Sequence, residues 1–214
     1  MTVPEGNEMI RGWETYSHTV SNLCLNCINK DSRVLEIGPG PGIYTQLILE
    51  KNPKQVTLVE PDPNNLRNLQ NKYGDKNNIR IIQGDIFKLL PTMQDAYDVC
   101  VAFGVLYHWS SPFRFLEDLA NIINPQYICL DNPENADVLI KREGFCASGS
   151  YWNLENDRTV NLSVHLPSHI IKTAMNNLEY KTILSRDMSW HHVDNLEKNG
   201  DSKKQTILFK FERT

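Results

Sequence analysis

Residues 34–42 read VLEIGPGPG, an apolar run that contains the acidic Glu36 and enters a glycine-rich turn. The next residues, IYTQLILEK from position 43, have the composition of a helix. A strand, a glycine-rich turn and a helix in this order place backbone N–H groups at the mouth of a strand, where a phosphate or carboxylate can bind. Glycine suits such a turn because it permits tight turning and leaves room for a ligand beside the backbone. The stretch therefore predicts an α/β fold with a nucleotide-cofactor site.

The spacing of the glycines distinguishes two classes of cofactor. A dinucleotide-binding fingerprint has a third glycine three positions after the second, and Ile43 occupies that position here. The observed pattern, GxGxG, resembles the first motif of the class I S-adenosylmethionine-dependent methyltransferases, whose turn holds the methionine end of the cofactor. The residues that this resemblance assigns to the cofactor site are Glu36, Gly38, Pro39, Gly40 and Gly42.

A second strand follows at the interval expected of a βαβ unit. Residues 55–59 read QVTLV and stop at Glu60. A carboxylate at this strand end, about 20 residues beyond the turn, is placed to accept hydrogen bonds from both ribose hydroxyls. A solvated acid at a strand end is the alternative, and the upstream glycines favour the ribose interpretation. Pro61 then offers a flat apolar surface to one face of the adenine.

A third strand-like run, residues 79–83, ends in the sequence GDIF at positions 84–87. It resembles the family's adenine-binding motif, an acidic residue followed by an apolar one. Asp85 would accept the adenine amino group and Ile86 would lie against the ring. Alternatively, Gly-Asp is an ordinary turn, and Asp85 caps a short helix.

A fourth segment, residues 97–109, reads YDVCVAFGVLYHW, a buried-strand pattern that runs into an aromatic loop. It is similar to the family's fourth-strand segment, where the loop lies beside the transferable methyl and a following helix begins with proline. The resemblance places Ala102 and Phe103 in the cofactor site and Tyr107 and His108 in the catalytic site. Residues 112–123 fit the helix, with Pro112 in its first turn.

Length and composition suit this interpretation. The chain has 214 residues and a hydrophobic fraction of 40%, enough for one domain with a full core. A formal net charge of −4 argues against broad electrostatic capture of nucleic acid. No apolar run approaches the roughly 20 residues of a membrane span. We expect a soluble, cytoplasmic protein with no membrane partner.

The expected fold class is α/β: a Rossmann-like, doubly wound sheet of seven strands, mostly parallel, with a C-terminal antiparallel hairpin and helices on both faces. We expect a single methyltransferase domain over residues 1–214. Its expected parts are a helical lid (1–30), a cofactor-binding core (31–131), an acceptor-binding insertion (132–167) and a C-terminal helix and hairpin (168–214). A surface loop is the alternative for the insertion. Ser168 resembles an N-cap, and residues 180–184 and 205–211 are β-like.

The sequence predicts no metal site. Cys24 and Cys27 form an isolated CxxC within an apolar helical pattern, and no second ligand pair at zinc-site spacing accompanies it. Cys100 and Cys129 fall in predicted central strands, where they are expected to be apolar core residues. His191 and His192 are adjacent, so on a strand they would point to opposite faces.

The resemblance implies S_N2 transfer of a methyl group from S-adenosylmethionine, with S-adenosylhomocysteine as product. His108 is the candidate general base, because its unperturbed pKa lies near neutrality, and a packing role is its alternative. Tyr107 would line the acceptor pocket or fill the core beneath it. We expect a small metabolite, sugar or natural-product intermediate as acceptor. The string FGVLYHW also resembles transfer-RNA wobble-uridine modifying enzymes, so a nucleic-acid acceptor remains an alternative.

Two other classes of function remain. A dehydrogenase is disfavoured by Ile43 and by the GDIF sequence, which nicotinamide binding does not require. A catalytically inactive cofactor-binding or scaffold protein would keep every motif described above. Turnover of the cofactor would distinguish that protein from an enzyme.

Overall fold

Strands and helices alternate through the first part of the chain in the computed structural model, which describes residues 23–109, 111–133, 139–143, 161–189 and 203–212. The strands are β1 (Arg33–Ile37), β2 (Gln55–Glu60), β3 (Ile79–Gln83), β4 (Val99–Ala102), β5 (Tyr127–Pro133), β6 (Leu139–Glu143), β7 (Asn161–His165), β8 (Tyr180–Ser189) and β9 (Lys203–Phe211). The helices are α1 (Ile43–Glu50), α2 (Pro63–Tyr73), α3 (Ile86–Leu89), α4 (Pro112–Asp118) and α5 (Ser168–Asn177). Short 3₁₀ turns occupy Leu25–Cys27, Leu90–Thr92 and Leu106–His108, and a π turn, Leu119–Ile123, continues α4.

The described strands form a seven-stranded sheet in the order β3-β2-β1-β4-β5-β9-β8. Strands β1 to β5 pair in parallel, whereas β9 is antiparallel to both β5 and β8. The predicted fold class is therefore confirmed. The strand order reverses between β1 and β4, and such a switch point opens a crevice at the carboxyl ends of the two strands.

Helices cover both faces of the sheet because successive strand residues point to opposite sides. Leu35 and Ile37 of β1 pack in a core that also contains residues of α3, α4 and α5. Val34 packs in a second core, with residues of α1, α2 and the Leu25–Cys27 turn. Since the helices after β1 and after β4 lie on opposite faces, the crevice at the switch point is left uncovered between them.

Local sequence signals account for the starts of two helices. The Asp62 carboxylate caps α2 by accepting hydrogen bonds from the N–H groups of Asn64 and Asn65, at 2.6 and 3.3 Å. Pro63 follows at the first helical position, where its missing N–H costs nothing. Helix α4 begins at Pro112, as the sequence predicts.

The C-terminal part differs from the prediction in detail. Helix α5 begins at Ser168 itself, and Pro167 occupies the N-cap position, so the assignment of Ser168 as an N-cap is wrong. Strands β8 and β9 are longer than predicted, because they pair from Tyr180 with Phe211 to Ser189 with Lys203, with a shift in register between Thr182 and Leu184. Helix α5 also packs against β8. Nothing tests the assignment of the whole chain to a single domain, which stays a prediction.

The predicted insertion contains regular structure at both of its ends. Strand β5 runs on to Pro133 because Asp131, Asn132 and Pro133 pair with β9. Strands β6 and β7 then pair antiparallel in a separate two-stranded sheet. The sequence signal was weak here because each strand is only 5 residues long. The middle of the predicted acceptor-binding insertion, residues 144–160, and the pair His191 and His192 lie outside the described residues.

The described N-terminal segment, residues 23–27, contacts the sheet through its cysteines. Cys24 and Cys129 are fully buried, and the Cys27 Sγ lies 3.9 Å from the Cys129 Sγ. Burial raises the pKa of the Cys24 thiol well above its ordinary value, as expected of an apolar core position. The prediction of core cysteines in the central strands is confirmed for Cys100 and Cys129. Residues 1–22 of the predicted helical lid lie outside the described residues, and the helical part of the lid ends at Cys27 rather than at residue 30.

Candidate cofactor and acceptor site

The glycine-rich turn between β1 and α1 has left-handed backbone at three positions. Gly38, Gly40 and Gly42 have φ of +65°, +56° and +84°. A Cβ on Gly38 would collide with Val105 Cγ1, and a Cβ on Gly42 would lie 2.9 Å from Leu69 Cδ2. At Gly40, by contrast, a Cβ would have nothing within 4 Å. The turn therefore packs against the protein at its ends and is open at its centre, where a ligand could approach the backbone.

Glu60 closes one side of this opening. Its side chain is only 4% exposed. Its Oε2 accepts a hydrogen bond from the Gly40 N–H, and its Oε1 accepts one from the Asp62 N–H, each at 2.9 Å. Burial raises the pKa of the Glu60 carboxyl, and these two N–H donors oppose that rise. The structure thus brings together two predicted cofactor residues, Glu60 and Gly40, in direct contact. Pro61, the next residue, is half-buried.

Glu36 lies beneath the turn with its side chain 2% exposed. The Thr45 hydroxyl of α1 donates a hydrogen bond to Glu36 Oε2 at 2.7 Å. Burial raises the pKa of Glu36 to about 8, the bond from Thr45 lowers it, and the negative charge of Glu60 raises it further. Two buried carboxyls therefore flank the same turn. Pro39, within the turn, is also buried.

Asp85 and Ile86 stand at the carboxyl end of β3, as predicted, but both already make contacts within the protein. The Asp85 Oδ1 accepts a hydrogen bond from the Phe87 N–H at 3.0 Å and caps α3, which is the alternative that the sequence left open. The Ile86 side chain is 2% exposed and belongs to the core. The adjacent Gly84 N–H donates to the Glu60 carbonyl at 3.2 Å, so this end of β3 adjoins the ribose candidate. An adenine-binding role for these two residues stays a prediction.

The end of β4 and the segment that follows it form the opposite wall of the crevice. Ala102 and Phe103 are buried, and the Phe103 ring lies 4.8 Å from that of Tyr44 on α1. Gly104 then turns the chain with φ of +72°. Val105 contacts Gly38, so this wall packs directly against the glycine turn. The predicted cofactor residues on β1, β2 and β4 thus surround one crevice.

Tyr107 and His108 lie in the Leu106–His108 turn, and both are half-buried. Their ring centroids are 4.1 Å apart. The Tyr107 hydroxyl lies 3.8 Å from the position of a Cβ on Gly104, which places it over the turn that leaves β4. Strand β7 contacts this turn from the side of the insertion. The two predicted catalytic residues therefore lie between the β4 turn and the β6–β7 hairpin.

Sequence reasoning did not single out Asp131 and Asn132, which contact the segments beside this crevice. Asp131 is 1% exposed, and its Oδ1 accepts a hydrogen bond from the Gly104 N–H. Asn132 Nδ2 donates to the Leu166 carbonyl at 2.7 Å, which holds the returning chain of the insertion. The available signal was an acidic residue at the end of a buried strand, the same signal that indicated Glu60. It was not recognised because Asp131-Asn132-Pro133 also reads as a turn after a strand.

Among the described residues, no group of three or more His, Cys, Asp or Glu side chains is placed to hold a metal ion. Nor is any described helix long and apolar enough to cross a membrane.

Comparison with known proteins identifies the class of this region. Residues 35–130 match the family model described as a methyltransferase domain. An N-methyltransferase, NodS of Bradyrhizobium japonicum, was solved with S-adenosyl-L-homocysteine and superposes with a TM-score of 0.62 at 14% identity, covering 95% of this chain and 87% of that one. The resemblance to class I S-adenosylmethionine-dependent methyltransferases is therefore confirmed for residues 35–130.

More particular relatives point to different acceptors. The 1,6-didemethyltoxoflavin-N1-methyltransferase of Burkholderia thailandensis has a TM-score of 0.66 at 11% identity and covers 99% of this chain and 93% of its own. A tRNA U34 carboxymethyltransferase of Nautilia profundicola is 38% identical over 107 residues, which are 47% of this chain and 33% of the relative. A ribosomal RNA small subunit methyltransferase of Arabidopsis thaliana is 39% identical over 85 residues, 38% of this chain and 23% of the relative. The chain thus spans less than half the length of the curated relatives described here.

Proposed function

We propose that this protein transfers a methyl group from S-adenosylmethionine to a small-molecule acceptor. The observation that carries the proposal is the contact between Glu60 and Gly40, with open space at the position of a Gly40 Cβ. The buried Glu60 carboxylate and the backbone of Gly40, which has no side chain, are in contact there, at the carboxyl ends of β1 and β2. An acidic residue in this position of a βαβ unit can accept hydrogen bonds from ribose hydroxyls.

The residues present fit the cofactor in two further respects. The methionine end of S-adenosylmethionine carries an ammonium group, and the buried Glu36 beneath the glycine turn offers a carboxyl of opposite charge once it is ionised. The N–H groups of the turn, which starts α1, suit the cofactor's carboxylate. Glu60 would bind the ribose, Pro61 would cover the adenine, and Ala102 and Phe103 would lie beside the reacting end.

When bound, the cofactor supplies an electrophilic methyl group on a sulfonium. The chain's own contribution is to align the acceptor with the carbon–sulfur bond and to exclude water, which accounts for a large share of the rate in such reactions. Tyr107 would orient the acceptor from its place over Gly104. His108 would accept a proton if the acceptor atom must lose one. No other covalent step involves the protein.

The small-molecule acceptor is supported by the position of the insertion. Strand β7 contacts the Leu106–His108 turn, and Asn132 anchors the chain that follows β7 through the Leu166 carbonyl. The insertion therefore lies beside the turn that carries Tyr107 and His108. A site bordered in this way favours a small acceptor, because small-ligand pockets bury most of the ligand's surface.

An RNA acceptor is the second candidate, favoured by the names of the curated relatives. It predicts binding to transfer RNA whose affinity falls steeply with salt, since basic side chains would displace counterions from phosphates. Binding of bulk transfer RNA at low and moderate salt would test this candidate. Absence of binding at low salt would leave the small-molecule acceptor.

The decisive test of the cofactor is calorimetric titration with S-adenosylhomocysteine, with NAD and NADP as controls. Saturable binding of S-adenosylhomocysteine alone is expected. A folded protein that does not bind it, or that binds NAD instead, would refute the proposed function.

Gly40→Ala is expected to weaken binding of S-adenosylhomocysteine by at least about tenfold, because the new Cβ would project into the open space where the cofactor approaches the backbone. The cost to folding should be only about 1–2 kcal/mol, from the left-handed backbone. Gly42→Ala is the matched comparison, because its Cβ would lie 2.9 Å from Leu69 Cδ2 and 3.0 Å from Tyr73 Cε2 and should destabilise the fold more. Thermal unfolding and calorimetry measure the two effects. Wild-type affinity in Gly40→Ala would place the ligand elsewhere.

His108→Asn is expected to slow methyl transfer about 100-fold for an acceptor that must lose a proton, since positioned bases contribute rate factors of this order. Affinity for S-adenosylhomocysteine should not change, because His108 lies beyond the β4 turn rather than at the glycine turn. Turnover can be followed as S-adenosylhomocysteine release in a screen of small acceptors. A variant with the wild-type rate at all pH values would assign His108 to packing.

A further inference from the structure

Asp131 is a buried carboxylate for which the proposed function has no role. It lies in β5 directly after the last residue that pairs with β4, and it is 1% exposed. Its Oδ1 accepts a hydrogen bond from the N–H of Gly104, the residue that turns the chain after Phe103. Carboxylates are seldom fully buried unless they serve a paired or functional role.

We propose that Asp131 is a further residue of the cofactor site, one whose negative charge favours cationic S-adenosylmethionine over its neutral product, S-adenosylhomocysteine. This inference rests on the proposed function. Asp131 also holds the Gly104 turn, and through it the loop with Tyr107, in place.

The position of Asp131 follows from the sheet register. Ala102 of β4 pairs with Leu130 of β5, so the residues after them, Phe103 and Asp131, are side by side where the pairing of β4 with β5 ends. Ala102 and Phe103 are the residues expected beside the transferable methyl. The Asp131 carboxylate is one hydrogen bond from Gly104, the next residue of that wall. It therefore lies beside the end of β4, on the other side of the switch point from Glu60.

The two ligands differ in the charge of the sulfur group with which such a carboxylate would interact. S-adenosylmethionine carries a positive sulfonium, and S-adenosylhomocysteine carries a neutral thioether at the same place. Attraction between opposite charges is strong where water is excluded, and the neighbours Ala102, Phe103 and Leu130 are all buried. Glu36 and Glu60 are expected at the methionine and ribose ends, so Asp131 is the carboxylate best placed, within the described part of the chain, to distinguish substrate from product.

Asp131→Asn separates this role from a purely structural one. The amide keeps an oxygen that accepts the Gly104 N–H and keeps the side-chain volume, but it removes the charge. If Asp131 only supports the turn, the substitution should change the affinities for both ligands by the same factor. If its charge acts on the sulfonium, only S-adenosylmethionine should bind more weakly.

The experiment is calorimetric titration of the full chain with each ligand separately. In Asp131→Asn, affinity for S-adenosylmethionine is expected to fall about tenfold, as for loss of one partly screened charge pair, while affinity for S-adenosylhomocysteine does not change. Asp98→Asn is the matched control, because the Asp98 carboxylate accepts the Arg33 N–H at 2.7 Å at the amino end of β4. That control should leave the ratio of the two affinities at the wild-type value.

An unchanged ratio in a folded Asp131→Asn protein would overturn the inference. If Asp131→Asn does not fold, Asp131→Ser removes the charge with a smaller side chain. The ratio of the two ligand affinities in that variant then tests the inference in the same way. Failure of the wild-type protein to bind either ligand would instead refute the proposed function, so the two failures are distinguishable.

Discussion

Glu60→Ala is expected to weaken binding of S-adenosylhomocysteine about 30-fold, which corresponds to a loss of about 2 kcal/mol. The carboxylate is the proposed acceptor for both ribose hydroxyls, and hydrogen bonds to a charged acceptor are stronger than neutral ones. Its removal also releases the Gly40 and Asp62 N–H groups, which Glu60 holds at 2.9 Å each. The loss therefore combines ribose recognition with support of the glycine turn.

Two comparison variants make this measurement specific. Glu60→Gln keeps the volume and one acceptor oxygen, so its affinity should lie between those of the wild type and Glu60→Ala. Glu50→Ala removes an equal charge from the exposed end of α1 and should bind as the wild type does. Calorimetry gives the affinities, and thermal unfolding confirms that each variant is folded. Wild-type affinity in a folded Glu60→Ala protein would reject the ribose assignment.

Glu36→Gln is expected to stabilise the protein at pH 8 by several kcal/mol relative to the wild type while changing its stability little near pH 5. Burial raises the pKa of Glu36 to about 8. The folded protein therefore holds a proton that the unfolded chain has lost once the pH exceeds an ordinary glutamate pKa of about 4.3. Glutamine mimics the protonated carboxyl and still accepts the hydrogen bond from Thr45.

The sign of this effect follows from proton binding in the two states. Where the folded state binds more protons than the unfolded state, the free energy of unfolding falls as the pH rises. The fall attributable to one group approaches about 1.4 kcal/mol per pH unit between its two pKa values. For Glu36 the stabilisation is complete below the unfolded pKa and is lost as the pH rises toward about 8.

Urea unfolding of the wild type and of Glu36→Gln at pH 5, 6.5 and 8 measures the difference directly. Contributions from other groups, including the raised pKa of Glu60, largely cancel between the two proteins. The two stabilities should diverge as the pH rises. Parallel pH profiles would mean that Glu36 is ionised in the folded protein throughout this range.

The prediction was most accurate where the signal is local in sequence. The glycine spacing of residues 38–42, the strand that ends at Glu60 and the proline that begins α4 each lie within a short segment, and each was identified at its observed place. Asp85 shows the limit of such motifs, since a helix cap and an adenine ligand have the same sequence signature. The structure shows the cap, and it leaves the ligand role as a prediction.

The alternation of strands, turns and helices can be predicted from the amino-acid sequence alone, and with it the edge of the sheet at which a ligand can bind. Those features depend on periodicity and turn chemistry within a few residues. The folded chain is needed to show that Asp131 contacts Gly104, that Val105 packs against Gly38 and that β7 contacts the turn that carries His108. These contacts join residues far apart in the chain, and they depend on strand order, register and burial, which no short segment specifies.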